Sequence, residues 1–398
     1  MTTKMKICWW MIALTITIYT VATAGTQTLI SSRAYSGHES DADANNFVNV
    51  YPATRGTRLD DCQTCHRAGV EGTDTEKEYN PCGYCHLLEF PNPSYKAGVP
   101  QNFGETLNAY GLAYMEAGRS MAALQAIANG DADGDGSSNA EEIAELRYPG
   151  DPTSKPGQPL AQIRTFSAEQ LKALPKHEQF LLMNTTKQQF DDYAAYRGVK
   201  VIDVLAAAGV ELNGAQGITA FAPDGFSMDY SLEEVLNPFP NGYFYAEPMS
   251  FTEPEKQFVA YPMSLPDGLQ DGQEIPNPLW LMVAYGRDGQ ELDKAYYEKG
   301  TGRLQGEGPY RLVIPQKELF GDPAKPGRPD RGSKAKEFAD GWDFVKNIDH
   351  NSGGSVRGVC VIRVNPMPAG YEEYDWKNGW ALIEDKQFIL YGYGVSSK

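Results

Sequence analysis

The chain has 398 residues and a formal net charge of −17 at pH 7, with 52 acidic and 35 basic side chains. Nucleic acid and anionic membrane surfaces repel a protein of this charge, so the composition argues against both as partners. The length exceeds that of one typical domain and predicts two.

The N-terminus has the pattern of a secretory signal peptide. Two lysines in Met1–Lys6 precede the apolar run Ile7–Val21, and the small residues Ala22–Ala24 follow it. We predict a signal peptide at residues 1–24 and export to the periplasm, the cell surface or the extracellular medium. The alternative is an uncleaved N-terminal anchor, and no transmembrane segment is expected after signal cleavage.

Two copies of the pattern C-x-x-C-H lie close together in the next segment. The first is Cys62-Gln-Thr-Cys65-His66 and the second is Cys82-Gly-Tyr-Cys85-His86. Two thiols three positions apart can bind both vinyl groups of one porphyrin, and the histidine that follows can bind the iron as its proximal ligand. A thiol redox pair, a four-cysteine zinc site and two disulfides leave the repeated histidine unexplained. The motifs therefore predict two covalently attached c-type haems (heme c).

Each haem iron has a sixth position, which is filled by a distal ligand or open to small molecules. Beyond the two proximal histidines the chain has only His38, His177 and His350. We predict His38, upstream of both motifs, as a distal ligand. For the other iron the alternatives are Met115, Met121 and His177. His350 is interpreted as a surface histidine, and the alternative is a distal ligand donated across the domain interface.

Residues 131–142 have the EF-hand loop pattern. Alternate positions offer oxygen ligands, Gly136 permits the sharp turn, and a glutamate closes the loop with two oxygens. Helices are predicted at Ser120–Ala128 and Ala140–Leu146, on either side. The predicted calcium ligands are Asp131, Asp133, Asp135, Ser137 through its backbone carbonyl, Asn139 and Glu142. We predict a structural Ca²⁺ site, and the alternative is an acidic solvated loop.

The motifs and the loop belong to a longer pattern. After the haem motifs come Asn108–Tyr114, with an Asn-x-Tyr-Gly-x-x-Tyr sequence, then the Asp-rich loop and the Pro-Gly-Asp-Pro sequence Pro149–Pro152. In this order of features Phe47–Asp151 resembles a small class of exported dihaem cytochromes. The resemblance implies a small, mainly α-helical dihaem cytochrome c domain at residues 25–150.

A stretch rich in proline, glycine and polar residues, Asp151–Leu160, predicts a stiff linker at residues 151–165. Beyond it, Val199–Gly209 combines a β-branched start with an amphipathic helix and a glycine stop. Short β-branched and aromatic runs follow at Gly217–Pro223, Trp280–Tyr285, Tyr310–Pro315, Val359–Val364 and Phe388–Tyr393. We predict an α+β domain with a mixed sheet at residues 166–398.

Three segments of this second region, Asp224–Tyr230, Leu281–Leu292 and Gly308–Pro315, resemble the molybdopterin-binding fold of sulfite-oxidase-like enzymes. The resemblance implies a cysteine thiolate on molybdenum early in the domain. No cysteine lies between His86 and Val359, which argues against a molybdenum site. Cys360 is interpreted as a core residue, and Arg311 either contacts an anion or pairs with a carboxylate.

The favoured function is an exported electron carrier with two c-type haems, a calcium-stabilised loop and a non-catalytic second domain. Its expected partners are redox proteins in the periplasm or at the cell surface. One alternative is a haem-linked molybdopterin dehydrogenase that oxidises a small oxyanion such as sulfite. Another alternative is a haem-based ligand sensor with one five-coordinate iron.

Overall fold

The computed structural model describes residues 41–70, 78–79, 81–88, 100–185, 191–246, 259–276, 278–298, 303–319, 350–376 and 379–396. The predicted signal peptide and His38 lie outside these residues. The α-helices are α1 Ala42–Val50, α2 Pro81–His86, α3 Ala109–Glu116, α4 Met121–Ile127, α5 Asn139–Ala144, α6 Ala168–Lys172, α7 Val201–Ala207, α8 Leu232–Leu236 and α9 Gly379–Asp385. None of the helices within these ranges is long and apolar enough to cross a membrane.

Most strands belong to the second half of the chain. In order they are β1 Gly69–Val70, β2 Glu78–Tyr79, β3 Ile163–Phe166, β4 Lys176–Met183, β5 Asp191–Lys200, β6 Gly217–Phe221, β7 Ser227–Ser231, β8 Tyr243–Phe244, β9 Val259–Ala260, β10 Gln273–Glu274, β11 Met282–Arg287, β12 Gln290–Glu291, β13 Tyr296–Glu298, β14 Arg303–Gln305, β15 Arg311–Val313, β16 Val361–Asn365 and β17 Phe388–Gly392.

One sheet has five strands in the order β3-β17-β16-β6-β7. The central strands β16 and β17 are parallel, and the other neighbours are antiparallel. Residues in β6 and β17 are buried along their full length. Strands that are covered on both faces carry continuous apolar sequence, which is why these runs are readable without the structure.

A second sheet has six strands and is built around the hairpin of β4 and β5. Strand β11 pairs with β5, β12 and β15, while the short β9 pairs with β5 in parallel. In β4, Leu181 and Met183 enter the main core while Phe180 and Leu182 enter a smaller one. Alternate side chains point to opposite faces of a strand, so β4 separates two cores.

The fold class predicted from sequence is wrong. The described part of the chain is mixed α/β, with about 27% strand and 24% helix, and its strands form several sheets. A small, mainly α-helical domain is not seen in the described part of the N-terminal segment, where turns, 3-10 segments and irregular chain outnumber α-helical residues. Its longest helix, α1, has nine residues. In α3 the apolar pattern ends early, because Gly118, with φ of 98°, follows the helix, which ends after about two turns.

The N-terminal segment is fastened to the second half by buried charges. Arg58 is 2% exposed, and its guanidinium donates to Glu372 Oε1 at 2.7 Å and to Asp375 Oδ1 at 2.6 Å. Arg147 pairs with the other oxygen of Glu372, and Ser154 Oγ donates to Glu372 Oε1 at 2.8 Å. Buried carboxylates need such partners because desolvation of a lone charge is costly. We call these five residues the arginine clamp.

The predicted linker lies against the same place. Ala161 N donates to the carbonyl of Glu372 and Glu372 N donates to the carbonyl of Pro159, both at 2.8 Å. The segment then continues into β3, at the edge of the five-stranded sheet. Its backbone is therefore held on the surface of the second half.

Candidate functional site

The first C-x-x-C-H motif forms a tight turn. Cys62–Thr64 is a 3-10 segment whose N-cap, Asp61, accepts a hydrogen bond from Gln63 N. Cys65 N and His66 N both donate to the carbonyl of Cys62, at 3.1 and 2.8 Å. One turn of chain thus carries both thiols and the histidine, as attachment of a single porphyrin requires.

The Asn-x-Tyr-Gly sequence supports this turn from behind. Asn108 caps α3 through Gly111 N, and its carboxamide donates to the carbonyls of Gln63 and Thr64 at 3.0 and 3.1 Å. A Cβ at Gly111 would lie 2.1 Å from the carbonyl oxygen of Cys65. The glycine is needed because α3 packs directly on the backbone of the first motif.

The second motif lies in α2, which contacts both the 3-10 turn of the first motif and the segment Phe103–Thr106. Strand β1 pairs with β2, so the chain between the two motifs doubles back. Tyr84, between the second pair of cysteines, is buried and accepts a hydrogen bond from Arg67 at 3.3 Å. The side chains of Cys82 and His86 lie outside the described part. The structure therefore brings the two motifs together as backbone neighbours.

The surroundings of Cys65 do not favour a thiolate. Burial, with a smaller contribution from Cys62, raises the pKa of Cys65 to about 12. Thiol–disulfide exchange needs a thiolate and therefore a lowered pKa.

Within the described residues, the only three-residue group of His, Cys, Asp or Glu that is close enough to hold one metal ion is Asp131, Asp133 and Asp135.

The other histidines and methionines lie in different surroundings. His177 is in β4, where its Nε2 lies 3.0 Å from Gln179 Oε1, and burial lowers its pKa. His350 Nδ1 lies 3.0 Å from the carbonyl of Asn184. Met115, in α3, is half-buried beside Gly104 of the segment Phe103–Thr106, and Met121 is exposed. The alternatives Met115, Met121 and His177 for the second iron stay predictions.

Helices α4 and α5 flank the Asp-rich loop, as predicted. Asp131 Oδ1 accepts hydrogen bonds from Gly134 N and Asp135 N at 2.7 and 3.2 Å, and its Oδ2 accepts from Gly136 N at 2.9 Å. These bonds wrap the loop around its first carboxylate. They also lower the pKa of Asp131, with the bond from Gly136 contributing most. The ligand oxygens of Asp131, Asp133 and Asp135 lie within 4.8 Å of one another.

The closing glutamate is the strongest sign of a cation site. Glu142 is fully buried, and neither of its carboxylate oxygens has a hydrogen-bond partner in the described structure; the same is true of Asp133 Oδ2. Burial, followed by the charges of Asp133 and Asp135, raises the pKa of Glu142 to about 8. Burial likewise raises the pKa of Asp133 to about 6. Unpartnered carboxylate oxygens in an acidic loop fit the oxygen-rich shell that Ca²⁺ prefers.

Two predicted ligands have additional roles. The carboxamide of Asn139 accepts from Ala132 N at 3.1 Å and donates to the carbonyl of Ile127 at 2.8 Å, so it ties the ends of the loop together. Ser137 N donates to Asp135 Oδ1 at 2.7 Å, which fixes the position of Ser137, whose carbonyl is the predicted ligand. Lys155, from the predicted linker, lies 3.7 Å from Asp135 Oδ2. Sequence spacing alone did not indicate this lysine.

The second half carries a buried polar cluster around Arg311. This residue is 2% exposed and donates to Tyr196 Oη at 2.8 Å and to Glu307 Oε1 at 2.7 Å. The structure shows the carboxylate pairing that was one of the two interpretations of Arg311. Cys360 is 2% exposed in the main core, and burial raises the pKa of its thiol. It is a core residue, as predicted.

Comparisons of the chain with protein-family models, with curated proteins and with solved structures found no match.

Proposed function

We propose that this chain is an exported electron-transfer protein that carries two covalently attached c-type haems and a Ca²⁺-stabilised loop. The observation that carries the proposal is the repeated C-x-x-C-H motif, together with the packing of α2 on the turn of the first motif. When bound, a haem accepts and donates single electrons, and the protein fixes its position and environment.

The described residues have defined parts in this function. Cys62 and Cys65 would hold one haem by thioether bonds, and His66 would bind its iron. Asn108 and Gly111 keep the turn that presents them in place, because both contact its backbone. Rigid attachment favours electron transfer because little rearrangement accompanies a change in charge.

The second motif would hold the other haem in the same way through Cys82, Cys85 and His86. Because the two motifs lie on neighbouring elements, electrons would pass between the haems before reaching a partner. Redox proteins of the periplasm or cell surface are the proposed partners. The net charge of −17 favours partners with a basic docking surface.

The proposed Ca²⁺ has a structural role in this scheme. Glu142 is in α5, and its backbone carbonyl accepts a hydrogen bond from Arg147 N of the arginine clamp at 2.7 Å. A cation that neutralises Glu142 would therefore stabilise the segment that joins the haem motifs to the second half. Weak affinity is sufficient outside the cell, where calcium is abundant.

The test is haem stoichiometry in protein matured by a host that attaches c-type haem. Mass spectrometry of the acid-unfolded chain should show two covalent haems. The double variant Cys62→Ser/Cys65→Ser should retain one, and Cys360→Ala should retain both, since Cys360 is in the core of the other half. A colourless chain of unmodified mass would refute the proposal, and molybdenum near one per chain would favour the dehydrogenase alternative.

A further inference from the structure

The ring of the proposed iron ligand His66 is held by a buried threonine. The backbone of His66 forms an isolated antiparallel bridge with Leu107, and Arg67 N donates to the carbonyl of Thr106 at 2.9 Å. This pairing places the hydroxyl of Thr106, which is fully buried, 3.0 Å from His66 Nδ1. The ring of Phe103 lies at 80° to the imidazole, with the ring centres 5.6 Å apart.

The direction of the hydrogen bond follows from a second contact. Thr106 Oγ1 also lies 2.7 Å from the backbone carbonyl of Phe103. A carbonyl oxygen can only accept, and a hydroxyl has one proton, so the proton of Thr106 points to Phe103. The same hydroxyl oxygen must then accept from His66, and Nδ1 is the protonated ring nitrogen.

We infer that Thr106 is a positioning residue that fixes His66 in the Nδ1–H tautomer. In a neutral imidazole with a proton on Nδ1, the lone pair is on Nε2, and this is the nitrogen that can bind a metal. Metal-binding histidines commonly donate their other ring N–H to a neighbouring acceptor, which sets the orientation and basicity of the ring. The role toward iron rests on the proposed function, whereas the tautomer does not.

The acceptor is an uncharged hydroxyl, and this sets the direction of its effect. A carboxylate in the same place would increase the electron density of the imidazole more strongly and favour the oxidised iron. By accepting from Nδ1–H, the hydroxyl of Thr106 makes the His66 imidazole a moderate electron donor to the iron, and loss of the hydroxyl should weaken that donation. The reduction potential of the haem on the first motif should therefore rise when the hydroxyl is removed.

The tautomer can be measured on the haem-free chain by ¹⁵N NMR of its histidines in mildly alkaline solution. We expect His66 to be mainly Nδ1–H, and Thr106→Val to shift the tautomer ratio by up to about tenfold toward Nε2–H, since one neutral hydrogen bond is lost. Thr106→Ser keeps the hydroxyl and so both hydrogen bonds, to His66 and to Phe103, and this variant should resemble the wild type. Thr54→Val is the matched control, because Thr54 is an equally buried threonine outside the motif, and its hydroxyl donates to the carbonyl of Tyr51 at 2.7 Å.

A mainly Nε2–H His66 in the wild type, or equal shifts in Thr106→Val and Thr54→Val, would overturn the inference. In haem-loaded protein, Thr106→Val should raise one of two reduction potentials and Thr106→Ser should restore it; an unchanged potential would refute the role toward iron. If no haem is attached but the tautomer is as expected, the proposed function fails and the positioning of the ring stands.

Discussion

Removal of the charge at Arg58 should be among the most destabilising single changes in this chain. Arg58 Nη2 contacts Glu372 and Asp375, its Nε donates to Asp375 Oδ2 at 2.9 Å, and the guanidinium lies 4.4 Å from the ring centre of Tyr148. The substitution Arg58→Met keeps an unbranched apolar stem and removes every one of these interactions.

The magnitude follows from which partner loses its counter-ion. Removal of one member of a buried ion pair costs about 3–5 kcal/mol, because the remaining charge stays buried. Glu372 keeps Arg147 and Ser154, so the cost is concentrated on Asp375, whose side chain is 18% exposed. We expect a loss near the lower end, about 3 kcal/mol in the free energy of unfolding. The double variant Arg58→Met/Asp375→Asn removes the remaining charge and should recover part of this loss.

Denaturant unfolding of the full chain measures the loss. Arg119→Met is the matched control, because Arg119 pairs with Asp43 where the two side chains are 48% and 24% exposed. An exposed pair contributes about 0–1 kcal/mol. If the two methionine variants lost equal stability, the arginine clamp would contribute nothing beyond a surface ion pair, and the reasoning would be refuted.

Three further changes have expected outcomes. Burial raises the pKa of Asp61 from 3.8 to about 6, so the folded state binds the extra proton and stability falls as pH rises through this interval; Asp61→Asn should flatten that dependence in unfolding experiments at several pH values. Ca²⁺ at about 100 times its Kd should stabilise the wild type by about 2.7 kcal/mol, as thermal unfolding with and without chelator would show. The control Glu141→Gln, which removes an exposed carboxylate, should be stabilised equally, whereas Ca²⁺ should not change the stability of Glu142→Gln. Gly111→Ala forces a Cβ against Cys65 and should cost about 1–3 kcal/mol; a wild-type unfolding midpoint would contradict the close packing of α3 on the first motif.

Local patterns predicted the candidate sites and several of the strands. The C-x-x-C-H spacing and the positions of the acidic loop are fixed by chemistry within a dozen residues, and the apolar runs at β6, β15, β16 and β17 are strands. The hairpin of β4 and β5 was missed, because Lys176–Glu178 begins β4 with three polar residues after a short helix. Periodicity is a weak signal in such a segment.

Pairing between residues far apart in the chain could not be predicted from the sequence. Arg58 and Glu372 are ordinary surface residue types, and nothing near either one in the chain indicates a partner more than 300 positions away. Thr106 is similar, since only the fold places its hydroxyl beside His66. The carboxamide of Asn139 occupies the expected loop position but bonds to backbone groups, a choice that depends on how α4 and α5 meet.

The end of the chain completes structures that begin much earlier. Strand β17 lies between β3 and β16, so Ile163–Phe166 has its neighbour only when Phe388–Gly392 is in place. Glu372 and Asp375 also belong to this last part. Contacts between residues so distant in sequence slow folding, because a large loop must close before they form. A truncated chain that lacks its final forty or so residues would therefore lose two inner strands of the five-stranded sheet, β16 and β17. It would also lose Glu372 and Asp375, the carboxylates that hold the N-terminal segment.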